Sequence, residues 1–336
     1  MRSIALASIS VTAAAAEEAS TRMQATGKAP VATLSARPTM INPGQSATLA
    51  FSAAHADFCK GSSRPHDPRF VVRGVSGAIP VRPTRTTTYT IRCKSGAAST
   101  SHRAMVTVSP DHIVLSETFD GAVPHAPETR IEDGALLAPN WKSVYHGFGL
   151  NSVASQFDGR SLSIRPKESI SANETHAGLI NGPHPSWPVD LRGNFTIEAA
   201  LHTEQQLRRQ PAPNPWEVAW LLWDYADNTH FYYLIPKPNG WELGKADPAY
   251  PGAQRFLASG HQPTFPIGHR YVVKIVQSAS PSATTLTAYV DGVLLTTFTD
   301  RERPYASGLV GFYSEDAAVY FHSVVVTMPR SGRTAK

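Results

Sequence analysis

The chain has 336 residues, 41% of them apolar, and a formal net charge of +5. That length supports two domains with cores of their own, and no apolar run is long enough to span a membrane as a helix, so no transmembrane segment is expected. The charge is unevenly spread: residues 29 to 110 carry 10 basic and 2 acidic side chains, a net of +8, whereas residues 111 to 328 carry 15 and 22, a net of −7. A nucleic-acid partner is not expected, because the basic part lacks tryptophan and an interleaved aromatic platform.

Residues 1 to 28 begin MRSIALASISVTAAAAEEAS: one basic residue, a weakly apolar run from Ile4 to Ala16, then small residues. This reads as a signal peptide and linker for a secreted, periplasmic or cell-surface protein, the other reading being a disordered alanine-rich tail. Residues 29 to 110 form the first predicted domain, with strands at Ala47 to Phe51, Arg69 to Val72, Thr86 to Cys93 and Ala104 to Val108. Cys59 and Cys93 are the two cysteines of the chain. They fit no CxxC or Cys/His metal spacing, and a single disulfide is the simplest account. Closing that loop would stabilise the domain by about 4 kcal/mol in the chain-entropy model, and it implies an oxidising compartment.

The segments NPGQSATLAFSA, PTRTTTYTIRC and AMVTV, with the cysteine pair between them, resemble bacterial immunoglobulin-like modules. The resemblance implies a small seven-stranded β-sandwich acting as a spacer or a weak adhesion unit, with cell-surface or matrix contact through its basic surface.

From residue 111 the composition changes, and all six tryptophans fall beyond this point. Strands are predicted at Ile113 to Phe119, Ser161 to Ile164, Phe195 to Thr203, Trp216 to Tyr225, His230 to Pro236 and Trp241 to Lys245. More follow at Tyr271 to Gln277, Thr285 to Asp291, Leu294 to Phe298, Gly308 to Tyr313 and Ala318 to Thr327. So many strands imply two packed sheets, an all-β chain with a large jelly-roll β-sandwich over residues 111 to 328 and a basic tail at 329 to 336.

The order ETFDG, NFTIEAAL, WEVAWLLWDY to HFYYLIPKPNGWELGK, TAYVDGVLLTTF and SGLVGFYSEDAAVYFHSVVV resembles concanavalin A-like lectin and glucanase domains. The resemblance implies this fold and a polysaccharide or oligosaccharide partner, but not a reaction, since the fold hosts lectins, hydrolases, lyases and spacers. The opening Glu117-Thr118-Phe119-Asp120 also resembles sandwiches that hold a structural calcium; no cofactor is otherwise required.

Alternation divides the tryptophan-rich block into two faces. Two-residue turns at Asp227-Asn228 and Asn239-Gly240 set Trp223 opposite Tyr232 and Lys237 opposite Glu242. Trp223, Tyr232, Leu234 and Leu243 then face the core. Trp216, Trp220, Asp224, Tyr233, Lys237 and Glu242 share the other face with Gly244, which would leave space above a ring. Phe195 to Leu201 would turn Glu198 and His202 to that same side. A one-residue slip exchanges these sets.

Indole planes beside carboxylates suit the C–H faces of sugars, which makes Trp216, Trp220, Tyr233, Lys237 and His202 the candidate binding residues. Hydrolysis needs two carboxyl groups about 5 to 5.5 Å or roughly 6.5 to 9.5 Å apart. Glu242 is the candidate acid, with Glu198 or Asp224 as nucleophile or base, and a simple Lys237–Glu242 ion pair is the competing reading of that pair. The ExDxxE run of many glucanases of this fold is missing. A lyase would use Tyr233 as base with His202, His230, Lys237, Arg208 or Arg209 beside a uronate, yet the RxELR and QIH signatures are missing too. The expected function is therefore a secreted glycoside hydrolase, with a non-catalytic lectin and a polysaccharide lyase as alternatives.

Overall fold

The computed structural model describes residues 28–120, 133–156, 159–182 and 191–329. The predicted signal peptide, Trp187 and the basic tail beyond residue 329 lie outside them. The chain forms two compact units that divide between Thr107 and Val108, with Met40–Gln45 belonging to the second. Asn42 explains that assignment: its Nδ2 donates to the Ile113 carbonyl (3.3 Å) and its Oδ1 accepts the Ile113 N–H (3.0 Å).

The first unit has a sheet in the order Val31–Arg37, Ala47–Ala54, Ser76–Val81 and a second containing Phe58–Arg64, Thr87–Ser95 and Ala98–Val108. Tyr89, Ile91 and Cys93 alternate into a dry core as the period of two requires. Cys59 pairs directly opposite Cys93 and the two are disulfide-bonded. Arg69 to Val72, predicted as a strand, is not one. Phe70 instead leaves a turn closed by its N–H on the Asp67 carbonyl and packs edge-on against Tyr89 at 4.9 Å.

The second unit is a larger β-sandwich. One sheet runs Gln254–Gly260, Gly240–Ala246, His230–Lys237, Ala219–Asp227, Ser307–Glu315, Ala177–Gly182, Trp141–Tyr145, Leu136–Ala138, with Leu191–Arg192 also on Ser307–Glu315. The other runs Leu150–Gln156, Gly159–Arg165, Ala317–Met328, Phe195–Gln206, Arg270–Ser280, Ala283–Val290, Val293–Asp300, with His112–Glu117 also on Ala317–Met328. These are the nine-stranded and eight-stranded sheets. Their inner faces meet in one apolar core, in which the Trp141 ring stacks on Phe312 at 5.0 Å and Phe312 on Phe321 at 4.2 Å. The chain passes from one sheet to the other at Asp316, whose φ is 43°.

Both hairpins of the tryptophan block form, with altered turns. Leu222 pairs Tyr233 and Trp223 pairs Tyr232 as expected, but a bulge follows Trp223, and Asp227 pairs His230 around Asn228-Thr229. In the next hairpin Lys237 pairs Gly240 and Glu242 pairs Ile235, so Pro238-Asn239 is the turn. That is a slip of two residues from the expected register, which preserves the face of every side chain.

Candidate functional site

The Ala219–Asp227 strand is buried on both sides over most of its length. Ala219, Leu221 and Trp223 enter the inter-sheet core, while Val218, Trp220, Leu222, Tyr233 and Ile235 form a second cluster on the outward face of the nine-stranded sheet. Cross-strand pairing lays out a row there: Tyr145 opposite Leu179, Leu179 opposite Tyr313, Tyr313 opposite Trp220. The Trp220 ring lies 4.9 Å from Tyr313 and 5.1 Å from Tyr233. Its Nε1 donates to the Trp216 carbonyl at 2.8 Å, which ties the indole to the segment before the strand. Trp220 is left 8% exposed, whereas Trp216 is 42% exposed.

At the other end of the row the rings give way to a polar set. The Tyr233 hydroxyl donates to Glu242 Oε1 at 3.0 Å and accepts from Gln254 Nε2 at 2.5 Å, and Lys237 Nζ donates to Glu242 Oε2 at 2.8 Å. Burial, and secondarily the Glu242 charge, raises the Tyr233 phenol well above its usual range, so it stays a hydrogen-bond donor. Near the opposite end, burial together with Asp316 and Glu217 pushes the Glu315 carboxyl up to about 7, against the opposing pull of Arg208.

A buried ion network holds the approach to this face. Arg208 Nε donates to Glu217 Oε1 at 2.6 Å, its NH2 donates to Asp316 Oδ2 at 2.5 Å, and NH1 reaches the Ser171 and Glu174 carbonyls. Arg208, weighed above as a group that neutralises substrate charge, is thus committed to structure. Arg209 pairs with Glu168 at the surface.

The candidate carboxylates are not brought together. Glu198 lies on the Phe195–Gln206 strand of the eight-stranded sheet, opposite Lys274, between the core residues Ile197 and Ala199. It faces outward on the far side of the sandwich from Glu242, at least about 10 Å of packed sheets away. His202 is on that far side too, buried, stacked on Tyr320 at 5.9 Å and 3.6 Å from Glu204. Burial lowers its pKa, more than Glu204 raises it.

Asp224 is the second correction. The bulge gives it a φ of 48° and turns it off the outward face, and Gln277 Nε2, from the eight-stranded sheet, donates to its Oδ2 at 2.9 Å. Burial raises this carboxyl to about 7, and its Oδ1 has no hydrogen-bond partner. Gly308 lets the bulge approach, because a Cβ there would overlap the Asp224 and Tyr225 backbone. Gly244, expected to leave open space, is instead covered by the Tyr233 phenol.

Four residues of the face were missed from the sequence. Tyr313 and Glu315 share the parity opposite to the core residue Phe312, a signal already present in SGLVGFYSE. Tyr145 and Gln254 sit on short strands beside turns rich in glycine and proline, where alternation is too brief to read. Among the described residues no group of three or more His, Cys, Asp or Glu side chains is arranged to hold a metal ion. In the segment weighed for calcium, Glu117 Oε1 accepts the Thr118 and Phe119 N–H groups and Asp120 Oδ2 the Thr118 hydroxyl. Those carboxylates build their own turn.

No protein-family pattern matches the chain, and no curated protein matches it. Among solved structures, it is similar to the carbohydrate binding module CBM66 from Bacillus subtilis, with 16% identity, 56% of this chain and 96% of that one covered, and a TM-score of 0.39. It is also similar to the VIP36 exoplasmic/lumenal domain in its Ca2+/Man3GlcNAc-bound form, with 10% identity, 59% and 87% covered, and a TM-score of 0.37. A Bacillus subtilis protein of unknown function with a galectin-like fold gives 11% identity, 56% and 88% covered, and a TM-score of 0.38. Likeness at this level assigns no ligand; the all-β fold rests on this chain's own strand pairing.

Proposed function

We propose that this protein binds carbohydrate on the outward face of the nine-stranded sheet, without cleaving it. The observation that carries this reading is the row of rings Tyr145, Tyr313 and Trp220 ending in the hydrogen-bonded set Tyr233, Glu242, Lys237 and Gln254. Rings offer apolar planes to sugar C–H faces, and the polar set offers donors and acceptors to hydroxyls. Trp216 supplies an exposed indole beside the row.

Carboxylate spacing favours binding over hydrolysis. Glu242 and Glu315 stand three strand spacings apart across the sheet, about 14 Å, which exceeds the roughly 6.5 to 9.5 Å an inverting pair needs. A hydrolase reading keeps Glu242 as its acid, and none of Glu198, Asp224 and Glu315 supplies it with a second carboxylate at working distance. The first unit serves as an immunoglobulin-like spacer in this proposal, and the second as a concanavalin A-like domain. The Cys59–Cys93 disulfide suits an oxidising compartment, in keeping with a secreted or surface location.

Affinity electrophoresis of the full chain through gels containing neutral and acidic polysaccharides, with a parallel assay for new reducing ends, tests the proposal. Retarded migration without new reducing ends is the expected result. New reducing ends would restore the hydrolase, unsaturated products absorbing in the ultraviolet would restore the lyase, and unretarded migration throughout would overturn carbohydrate binding.

A further inference from the structure

The first unit carries a surface cavity of about 470 Å³ whose lining includes Pro65, Asp67, Pro68, Arg69, Arg82 and Arg85. Two loops make it: the one leaving Phe58–Arg64, and the one joining Ser76–Val81 to Thr87–Ser95. Both are braced from within. Asp67 Oδ2 accepts the Tyr89 hydroxyl at 2.8 Å, its Oδ1 accepts the Arg69 N–H at 3.0 Å, and its own N–H donates to Ser63 Oγ at 2.7 Å. On the facing loop Pro83 is buried and the Thr87 hydroxyl donates to the Arg85 carbonyl at 2.7 Å.

The charges on this cavity are unequal in number and in commitment. Three arginines line it against one carboxylate, and that carboxylate has both oxygens engaged, one by the loop N–H of Arg69 and one by the Tyr89 hydroxyl. Arg69, Arg82 and Arg85 are exposed, and none of their guanidinium groups has an ion-pair partner among the described residues. Three cations on one concave rim raise the local positive potential, which favours an anionic ligand. Asp57 is the one other acidic residue between positions 29 and 110, and it is bonded to Ser95 and Gly96.

We propose that this cavity is a binding site for an acidic polysaccharide, in which Arg69, Arg82 and Arg85 hold carboxylate or sulfate groups carried by neighbouring sugar units. Guanidinium forks match the planar or tetrahedral oxygens of such groups. Pro65 and Pro68 give exposed apolar rings for sugar C–H faces, and the exposed Thr84 adds a hydroxyl for those of the sugar. The volume lies within the usual range for small-ligand sites. The lining holds no Phe, Tyr or Trp and a single imidazole, His66, so the run of stacking rings that single-stranded nucleic acid uses is not there. This site is separate from the sheet face and would operate whether or not that face binds a neutral glycan.

Isothermal titration of the full chain with a polygalacturonate oligomer, a sulfated chondroitin oligomer, an uncharged dextran oligomer and a single-stranded oligonucleotide provides the test. Binding to one or both acidic glycans, weakening as salt is raised, is expected, and which of them binds separates carboxylate from sulfate as the source of charge. Arg82→Ala with Arg85→Ala should weaken that binding about 30-fold. Arg92→Ala with Lys94→Ala removes the same charge from the same unit away from the cavity and should weaken it less than about threefold. Arg82→Lys keeps the charge but loses the fork, and should fall between. Thermal melting of each variant confirms its fold. Equal losses in both double variants, failure of both acidic glycans to bind, or tighter binding of the oligonucleotide would each overturn the proposal.

Discussion

Both faces of the nine-stranded sheet pack aromatic side chains and use them differently. On the inner face Trp223 is fully buried, stacks on Tyr232 at 5.8 Å, and spends its one donor on Gln277 of the other sheet. On the outer face Trp220 packs against Tyr313 and Tyr233 but remains at the edge of solvent, with its donor turned to the Trp216 carbonyl. The inner rings are covered by a second sheet, whereas the outer rings adjoin a Tyr–Glu–Lys–Gln set that retains polar capacity. Burial alone therefore does not separate core from proposed site; what covers the ring does.

Substitutions along one strand can break this comparison. Trp223→Ala should cost about 3 to 5 kcal/mol of stability in urea unfolding, because it opens a cavity between packed sheets, while leaving glycan affinity of the folded fraction unchanged. A loss of affinity with unchanged stability would place the inner ring in the site.

Asp224 gives a pH effect nearly as large. Its carboxyl ordinarily titrates near 3.8 and is raised by burial to about 7, so the folded chain keeps a proton that the unfolded chain releases. The stability from this protonation is complete below about pH 4 and falls as pH rises toward 7, by on the order of 4 kcal/mol. Asp224→Asn should flatten that decline in unfolding measured at successive pH values. Glu315, raised in the same sense, should leave a smaller residual slope. An unchanged slope in the Asn variant would show that Asp224 is ionised in the folded protein.

Effects on the outer face should be smaller in stability and visible in binding. Glu242→Gln keeps an acceptor for Tyr233 but removes the charge facing Lys237, at a cost of about 1 kcal/mol in unfolding, with a measurable change in affinity and no product formed by either protein. Trp216→Ala should cost no more than about 1 kcal/mol in stability, since the residue is 42% exposed, yet lower glycan affinity roughly tenfold. Unchanged affinity in the Trp216 variant would move the site away from this end of the sheet.

Legibility followed the range of the interactions involved. Strand positions in NFTIEAAL, HFYYLIP and TAYVDGVLLTTF could be read because alternation is a property of a few adjacent residues. The division of Trp220 from Trp223 could be read for the same reason, and it survived a two-residue slip in the next hairpin. Short strands such as Ala177–Gly182 escaped, being too brief and too glycine-rich to alternate. The grouping of Glu198 with Glu242 failed because alternation states which residues share a side of their own strand and says nothing of which sheet the strand joins.

By itself, then, the sequence determined an all-β chain, most strand positions, the two-face division of the tryptophan block and the one available cysteine pair, all of which depend on local period or simple count. The tertiary structure alone decided that Glu198 and His202 belong to the opposite sheet, that Asp224 turns inward where Gly308 admits a bulge, that Arg208 is locked between Glu217 and Asp316, and that three arginines from two loops converge on one cavity. Those outcomes depend on partners distant in the chain, whose pairing is set by packing between sheets and by which backbone can approach which.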